Sequence, residues 1–187
     1  MQFKPGDHVV YPAYGAGTIL ATEDRAFSRE VTTYYILKMV ADEGEFMVPV
    51  DAAESLGFRS IIPHKSIFKE LKGKPELLPD DYKIRQSQIS ELLATSDAIN
   101  LAQAARNTAW FAGHRSLTGR DVQLYEDLQT QLASELSLSL VIPLNDAVEQ
   151  LLETLEQITI KGQEDQLALE EAAAAAAAAE EEAALQD

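Results

Sequence analysis

The sequence predicts an α+β protein with a small antiparallel β-barrel at the N-terminus, followed by an all-helical bundle and an acidic tail rich in Ala and Glu. Two observations support this class. The first sixty residues hold short runs rich in Val, Ile, Tyr and Thr, separated by Gly, Asp and Glu, which is typical of strands. After Pro63, apolar residues recur at helical spacing instead. At 187 residues and 46% hydrophobic content, the chain can bury the core of one domain or of two small ones.

Five short strands are expected in the N-terminal part, with no helix between them. They cover residues 8–13, 18–22, 32–40, 45–50 and 57–62. This density of strands favours a strongly bent antiparallel sheet or a partly open barrel. Gly15 and Gly17 suit an irregular first hairpin, because glycine adopts a positive φ at little cost.

The pattern changes at Pro63. A short helix fits residues 65–71, and the segment Lys72–Pro79 then breaks it with one glycine and two prolines, so we expect the domain boundary there. The predicted organisation is an N-terminal domain at residues 1–62, a short helix and linker at 63–79, a helical domain at 80–162 and an acidic low-complexity tail at 163–187.

Capping residues predict where the later helices begin. Asp80 or Asp81 can cap a helix ending near residue 93, and Ser96 can cap one ending near residue 112. Thr118 and Asp121 have the spacing of a capping box. Two apolar stripes follow and predict a bundle of four or five helices. The stripes are Tyr125, Leu128, Leu132 and Leu136, and then Leu144, Val148, Leu151, Leu152 and Leu155.

The net charge of −16 is unevenly distributed. Eight acidic residues and no basic one lie from Glu164 onward, so the rest of the chain is only mildly acidic. This excludes a general electrostatic grip on DNA but permits a local basic patch. The tail from Gln166, with eight consecutive alanines at 172–179, has high helix propensity and little to bury. We expect a frayed helix or a disordered, solubilising extension there, in preference to a binding tail.

Catalytic and metal-binding signatures are missing from the sequence. It has no cysteine, no phosphate-binding or nucleophile motif and no apolar run of membrane-spanning length. His8, His64 and His114 lie in separate segments, and we expect each at the surface. We therefore predict a cytoplasmic protein with no membrane association, no cofactor, no metal and no catalytic residue. An enzyme is the remaining alternative, and only scattered carboxylate pairs favour it.

Two aromatic residues are candidates for recognition. Trp110 lies inside an apolar helix, which favours the core or an interhelical seam over a wedge between bases. Tyr82 opens a helix with Lys83 and Arg85 beside it, which suits a contact with phosphates and a groove. The alternative for Tyr82 is a structural role, in which it fastens the linker to the bundle, and the sequence leaves both open.

The opening segment Phe3-x-Pro-Gly-Asp7-x-Val-Val-Tyr11-Pro-x-Tyr-Gly15-x-Gly resembles that of the CarD/CdnL family of bacterial transcription regulators. The similarity extends over about residues 1–160, and its first strand pair is the most specific part. It includes Tyr35-Ile-Leu-Lys38, Val48-Pro49, Gly57-Phe-Arg59, Pro79-Asp-Asp-Tyr82-Lys-x-Arg85, Leu117-Thr118 and Leu132-Ala-x-Glu135-Leu136.

The resemblance implies a Tudor-like or SH3-like N-terminal module that docks on the RNA polymerase β subunit. The same module is similar to the RNA polymerase-interacting domain of transcription-repair coupling factor. In the family an arginine at the position of Arg25 contributes to the dock, and a second basic residue is common where this chain has Met47. The expected polymerase-binding residues are therefore Arg25, Met47, Val48 and Pro49.

The resemblance also implies that the helical domain meets promoter DNA at the upstream edge of the open bubble. A wedging tryptophan of the family is replaced here by Tyr82, and the basic cluster is thinned to Lys83 and Arg85. We expect these three residues to make a weak, tethered DNA contact. The function predicted is that of a monomeric, non-enzymatic regulator that stabilises the open promoter complex. The alternative is a polymerase-binding adaptor, or protein-interaction module, without significant DNA contact.

Overall fold

The computed structural model describes residues 2–12, 14–27, 30–42 and 44–184. Ala13, predicted as the end of the first strand, and residues 185–187 of the predicted tail lie outside the described residues. The α+β class is confirmed, because an antiparallel sheet precedes five helices. The strands are β1 (His8–Tyr11), β2 (Gly15–Phe27), β3 (Glu30–Met39), β4 (Glu45–Pro49) and β5 (Arg59–Ser60).

The sheet is open, so the structure does not confirm a barrel. Its strand order is β4-β3-β2-β1-β5, and in the described residues β4 and β5 form its two edges. Strand β5 has only two residues, which pair with Val9 and Val10 of β1. Strands β2 and β3 are longer than predicted because their pairing continues to Phe27 opposite Glu30, through residues whose charge lowers their strand propensity.

One face of this sheet carries the core of the N-terminal half. A β-bulge between Ile19 and Ala21 bends the long hairpin. The buried hydroxyl of Tyr35 accepts a hydrogen bond from the backbone N–H of Phe3 at 3.0 Å, which closes the N-terminal segment over the sheet. The buried apolar side chains are Phe3, Val9, Ile19, Tyr35, Leu37, Met39, Val48, Ala53 and Phe58.

Five helices form the second half, as predicted. They are α1 (His64–Leu71), α2 (Tyr82–Ala94), α3 (Ala98–His114), α4 (Gly119–Leu140) and α5 (Leu144–Ala184). Ile67 and Leu71 of α1 are fully buried in the same cluster as Leu128 and Leu132 of α4. Helix α1 therefore packs as part of the helical core.

The observed caps agree with the sequence at two helices and differ at one. The carboxylate of Asp81 accepts from the first backbone N–H groups of α2, and Thr118 and Asp121 form a reciprocal capping box at α4. The prediction for Ser96 is wrong, because the side chain of Asp97 caps α3. Ser96 is buried with φ of +49°, and its carbonyl oxygen accepts from Arg59 instead.

Helix α5 is much longer than the amphipathic stripe predicted. It continues without a break to Ala184, so of the two alternatives predicted for the tail, a helix and a disordered extension, the structure shows the helix. Leu152, assigned to the stripe, is 42% exposed. The helix crosses α3 at a glycine pair: a Cβ on Gly162 would lie 2.8 Å from the carbonyl oxygen of Trp110 and 3.3 Å from the Cα of Gly113.

The two halves are joined by a polar network on α4. Arg59 of β5 donates to both carboxylate oxygens of Glu135, at 2.8 and 2.7 Å, and to the carbonyl oxygen of Ser96. The backbone N–H of Ile62 donates to the same carboxylate, and that of Ala16 donates to the hydroxyl of Ser134. These bonds fix the sheet directly against the bundle.

The histidines are not the surface residues predicted, because all three are half-buried and hydrogen-bonded. Their ring nitrogens lie near Thr18 Oγ1, the Ser139 carbonyl oxygen and the Trp110 carbonyl oxygen. Trp110 is half-buried and lines a groove together with Glu153, Thr154 and Gln157 of α5, so it occupies an interhelical seam as expected. Among the described residues, none of the helices combines the length and apolarity needed to cross a bilayer.

Candidate docking and nucleic-acid surfaces

One face of the sheet carries the apolar core of the N-terminal half, and strand alternation assigns the predicted polymerase-binding residues to the two faces. Tyr35 of β3 pairs with Val48 of β4, and both are buried in the core. Neighbouring positions on the same strands point the opposite way, because side chains alternate across a strand. Met47, opposite Ile36, and Pro49, opposite Tyr34, therefore lie on the outer face.

Arg25 lies on this outer face as well. It pairs with Thr32, two positions along β3 from Tyr34, so it shares the face that carries Met47 and Pro49 on the other side of β3. Its guanidinium bonds the carboxylate of Glu23 at 2.6 Å, and both side chains are about half exposed. An exposed pair of this kind contributes little to stability, so an acidic partner can compete for Arg25.

Val48 differs from the other three predicted docking residues. Its side chain is only 2% exposed and packs in the core of the sheet. It can reach a partner only through its backbone. Because β4 is an edge strand, that backbone borders the rim of the sheet.

Tyr82 and Lys83 form the exposed start of α2. Tyr82 is the first residue of the helix and is 50% exposed, and Lys83 Nζ lies 6.0 Å from the centroid of its ring. The neighbouring Ile84 is 52% exposed. The ring thus remains half accessible next to a cation and an apolar side chain, the side-chain types that proteins often use in the minor groove.

The prediction for Arg85 is corrected by the structure. Its side chain is buried, and one terminal nitrogen bonds Asp121 Oδ2 at 2.7 Å. The other donates to the carbonyl oxygens of Pro79 and Asp80, and the guanidinium lies 4.3 Å from the ring centroid of Phe111. A guanidinium so enclosed presents no surface to a phosphate group, so we remove Arg85 from the DNA-facing residues.

Asp121, which the sequence indicated only as a capping residue, is fully buried beside this arginine. Burial alone would raise the pKa of its carboxyl group. Hydrogen bonds from Arg85, from Thr118 and from Gln86 outweigh burial and lower the pKa from 3.8 to about 2. Asp121 is therefore ionised at neutral pH and forms a charged pair with Arg85. Among the described atoms, Arg85 Nε and Asp121 Oδ1 are buried without a hydrogen-bond partner.

Two cations that sequence reasoning missed flank the exposed turn. Arg115, at the end of α3, bonds Asp80 through Nε at 2.7 Å, with both side chains mostly exposed. Arg120, in the first turn of α4, is exposed, and its Nη1 donates to the neutral side chain of Gln123 at 2.8 Å. In the sequence they are visible only as two basic residues on either side of the Thr118 cap. The fold brings that cap next to α2, where the side chain of Gln86 donates to the hydroxyl of Thr118 at 3.1 Å.

The described part of the chain contains no group of three or more His, Cys, Asp or Glu side chains that could hold a metal ion. Three ion pairs that include a buried side chain join different elements, and they are Arg59–Glu135, Arg85–Asp121 and Arg106–Glu70. The candidate binding residues lie on two separate surfaces, one on the sheet and one at the start of α2.

Comparison with known proteins identifies the class of the N-terminal half. Residues 3–62 match the sequence family described as CarD-like/TRCF RID domain. The predicted resemblance to the CarD/CdnL family is thereby confirmed, and the N-terminal domain of this chain is CarD-like. The matched range ends just before α1, where the sheet gives way to the bundle.

A curated relative extends the similarity beyond the sheet. The chain is 25% identical over 139 residues to a protein of Bacillus subtilis (strain 168) described as "Putative transcription factor YdeB". The alignment covers 72% of this chain and 90% of the relative, so it must include much of the helical half. Together the two matches support a transcription-related role with an RNA polymerase-interacting domain.

Proposed function

We propose that this chain is a non-enzymatic transcription regulator that docks on the β subunit of bacterial RNA polymerase and stabilises the open promoter complex. The CarD-like match of residues 3–62 supports the docking half of this proposal. The observation that carries the DNA half is the position of Tyr82, half exposed at the start of α2 with Lys83 beside its ring.

The proposed polymerase contact is the outer face of the sheet and its β4 edge. Arg25, Met47 and Pro49 share this face, and Val48 contributes its backbone at the edge. A partner carboxylate would displace Glu23 from Arg25, while Met47, which is 44% exposed, offers apolar area. Met47 thus supplies packing at a position where a basic residue would supply an ion pair.

The proposed DNA contact is the exposed turn at the start of α2, extended by the corner between α3 and α4. Tyr82 supplies an aromatic ring that can stack on or wedge beside a base, and Lys83, Arg115 and Arg120 supply positive charge. Three cations are few for a chain of net charge −16, so affinity for free duplex should be low.

Docking compensates for this weakness. A domain held on polymerase has a high effective concentration at the promoter, so a weak DNA contact can act without independent affinity. If Tyr82 contacts only the melted form, its binding energy shifts the equilibrium between closed and open complexes. A contact worth about 1.4 kcal/mol shifts that equilibrium tenfold.

The test is the lifetime of open promoter complexes formed by polymerase with the full chain. Tyr82→Ala should reduce the stabilisation given by the wild type about tenfold, because it removes the ring and leaves polymerase binding intact. Leu167→Ala, an apolar truncation at a similarly exposed position on α5, is the matched control and should behave like the wild type. An unchanged lifetime with Tyr82→Ala would contradict the proposed DNA contact.

A second arm of the same experiment tests docking. Arg25→Glu should weaken capture of the polymerase β subunit at least tenfold and abolish the effect on lifetime, since it reverses a charge at the proposed contact. Lys65→Glu makes the same charge change at an exposed position on α1 and should retain capture. Failure of the wild type to bind polymerase would refute the proposal as a whole.

The alternative function is that of a polymerase-binding adaptor without DNA contact. The burial of Arg85 favours it, because this leaves Lys83 as the only basic residue of the predicted three with an exposed side chain. If the chain is such an adaptor, we expect normal capture of the β subunit and identical open-complex lifetimes for the wild type and for Tyr82→Ala. The two arms above therefore separate the two functions.

A further inference from the structure

A buried ion pair joins the start of α2 to the start of α4. Arg85 Nη2 and Asp121 Oδ2 are 2.7 Å apart, with their side chains 3% and 0% exposed. The same oxygen of Asp121 accepts from the backbone N–H and the hydroxyl of Thr118, at 2.9 and 2.8 Å. One carboxylate oxygen thus belongs both to the capping box of α4 and to the ion pair with α2.

Arg85 also holds the chain that leads into α2. Its Nη1 donates to the carbonyl oxygens of Pro79 and Asp80, at 2.8 and 3.1 Å, and its guanidinium lies over the ring of Phe111 in α3. The side chain therefore contacts three segments that are distant in sequence: the end of the linker, α3 and α4. Arg85 itself lies three residues after Tyr82, in the first turn of α2.

We propose that Arg85 is a positioning residue that fixes the direction in which Tyr82 and Lys83 project. This inference rests on the proposed function of Tyr82. Arg85 does not touch the partner. It fixes the first turn of α2 to the capping box of α4, and we call this contact the joint. The joint aligns Tyr82 and Lys83 with Arg115, at the end of α3, and with Arg120, at the start of α4.

The physical argument for positioning is that stability alone does not require this pair. A buried ion pair is often no more stabilising than apolar side chains of similar volume, because desolvation offsets the attraction between the charges. Apolar side chains would fill the space at this joint, but they would not specify direction. A planar guanidinium with donors in fixed directions does specify it, and here it meets three acceptors.

Substitution of Arg85 by lysine tests whether its charge or the geometry of its guanidinium fixes the direction of Tyr82. Arg85→Lys keeps a positive charge near Asp121, but a single ammonium group cannot bond the carboxylate and two carbonyl oxygens in the same arrangement. We expect the variant to fold, with a looser first turn of α2. Arg106→Lys is the matched control, since Arg106 is also buried in the bundle and bonds a carboxylate and a carbonyl oxygen of Glu70.

The decisive experiment is a double-mutant cycle on open-complex lifetime with polymerase present. Arg85→Lys should reduce the stabilising effect about threefold to tenfold in the wild type and by clearly less in Tyr82→Ala, where only Lys83 is left to be positioned. Arg106→Lys should leave the lifetime unchanged in both backgrounds. Equal losses from Arg85→Lys in both backgrounds, or no loss in the wild type, would overturn the positioning role.

Amide hydrogen exchange on the free protein separates failure of this inference from failure of the proposed function. Arg85→Lys should accelerate exchange about tenfold at Lys83 and Ile84, whose amides donate to Asp81, and leave α3 unchanged. Acceleration without any effect of Tyr82→Ala on lifetime would mean that the joint exists but the DNA role does not. Unchanged exchange would refute the joint itself. If Arg85→Lys fails to fold, Asp121→Asn replaces it in both measurements.

Discussion

Two side chains predicted to face DNA, Tyr82 and Arg85, lie three residues apart and enter opposite environments. Tyr82 is half exposed, whereas Arg85 is 2% exposed and paired with Asp121. The local sequence describes both as polar or aromatic residues at a helix start, and nothing within the helix distinguishes them. The difference arises from a carboxylate 36 positions away, so only the tertiary fold could reveal it.

Asp121 allows a prediction about stability at the residue scale. Asp121→Asn should lower the free energy of unfolding at pH 7 by about 3 kcal/mol, because it leaves the buried guanidinium of Arg85 without a counter-ion. Chemical denaturation measures this loss. Asp127→Asn, at an exposed position of the same helix, is the control and should change stability by less than about 0.5 kcal/mol.

The pH dependence of the same variant follows from the lowered pKa of Asp121. A carboxyl group whose folded pKa of about 2 lies below its ordinary value of 3.8 contributes stability that is complete above pH 4 and is lost as pH falls toward 2. The difference between wild type and Asp121→Asn should therefore be constant from pH 7 to about 5 and narrow below pH 4. A difference that persists undiminished at pH 2 would contradict the charged pair.

At the scale of elements, the sequence predicted which segments form helices better than how far they extend. The cap at Asp81 and the capping box at Thr118 were readable, because they depend on residues two or three apart. The sequence indicated Ser96 as the cap of α3, but the neighbouring Asp97 provides it, and the carbonyl oxygen of Ser96 accepts from Arg59 of the sheet. The sequence left the alanine segment of α5 open between a helix and a disordered extension, because its helix propensity is high but it buries little.

The crossing of α3 and α5 supplies a prediction at this scale. Gly162→Ala should destabilise the protein by about 1–3 kcal/mol, although alanine is the better helix former, because its Cβ would lie 2.8 Å from the carbonyl oxygen of Trp110. Gly119→Ala is the matched control. No atom lies within 4 Å of the position that its new Cβ would take, so this substitution should leave stability unchanged or raise it. Thermal unfolding of both variants measures the contrast, and equal melting temperatures would refute the close crossing.

At the scale of the whole molecule, the two halves are held as one body by Arg59 and Glu135. The sequence indicated both halves and a boundary at Lys72–Pro79, but the contact between them runs from β5 to α4, across 76 positions. Glycine and proline signals report local breaks in structure and cannot report a bidentate ion pair between distant residues. The outer face of the sheet and the start of α2 were predicted as separate surfaces, and their rigid connection was not.

Glu135→Gln should uncouple the halves. It removes the charge that pairs with Arg59 at a site where the carboxylate is 2% exposed, and we expect a loss of about 3 kcal/mol. Trp110 is the only tryptophan, so its fluorescence reports unfolding of the bundle, whereas circular dichroism follows both halves. The unfolding curves measured by fluorescence and by circular dichroism should coincide in the wild type and separate in Glu135→Gln. Glu126→Gln, an exposed change on the same helix, should leave them coincident.

The Arg85–Asp121 pair also limits how this chain can evolve. Losing either partner alone strands a buried charge, at a cost of about 3–5 kcal/mol, whereas replacing both with apolar residues can be nearly neutral. Loss of Arg85 or of Asp121 alone therefore lowers stability, and the pair can be replaced without this cost only by two substitutions together. Stability therefore constrains Arg85 and Asp121 to change together, whereas a substitution of Tyr82, half exposed at the surface, carries no comparable folding cost and is limited by its proposed contact with DNA.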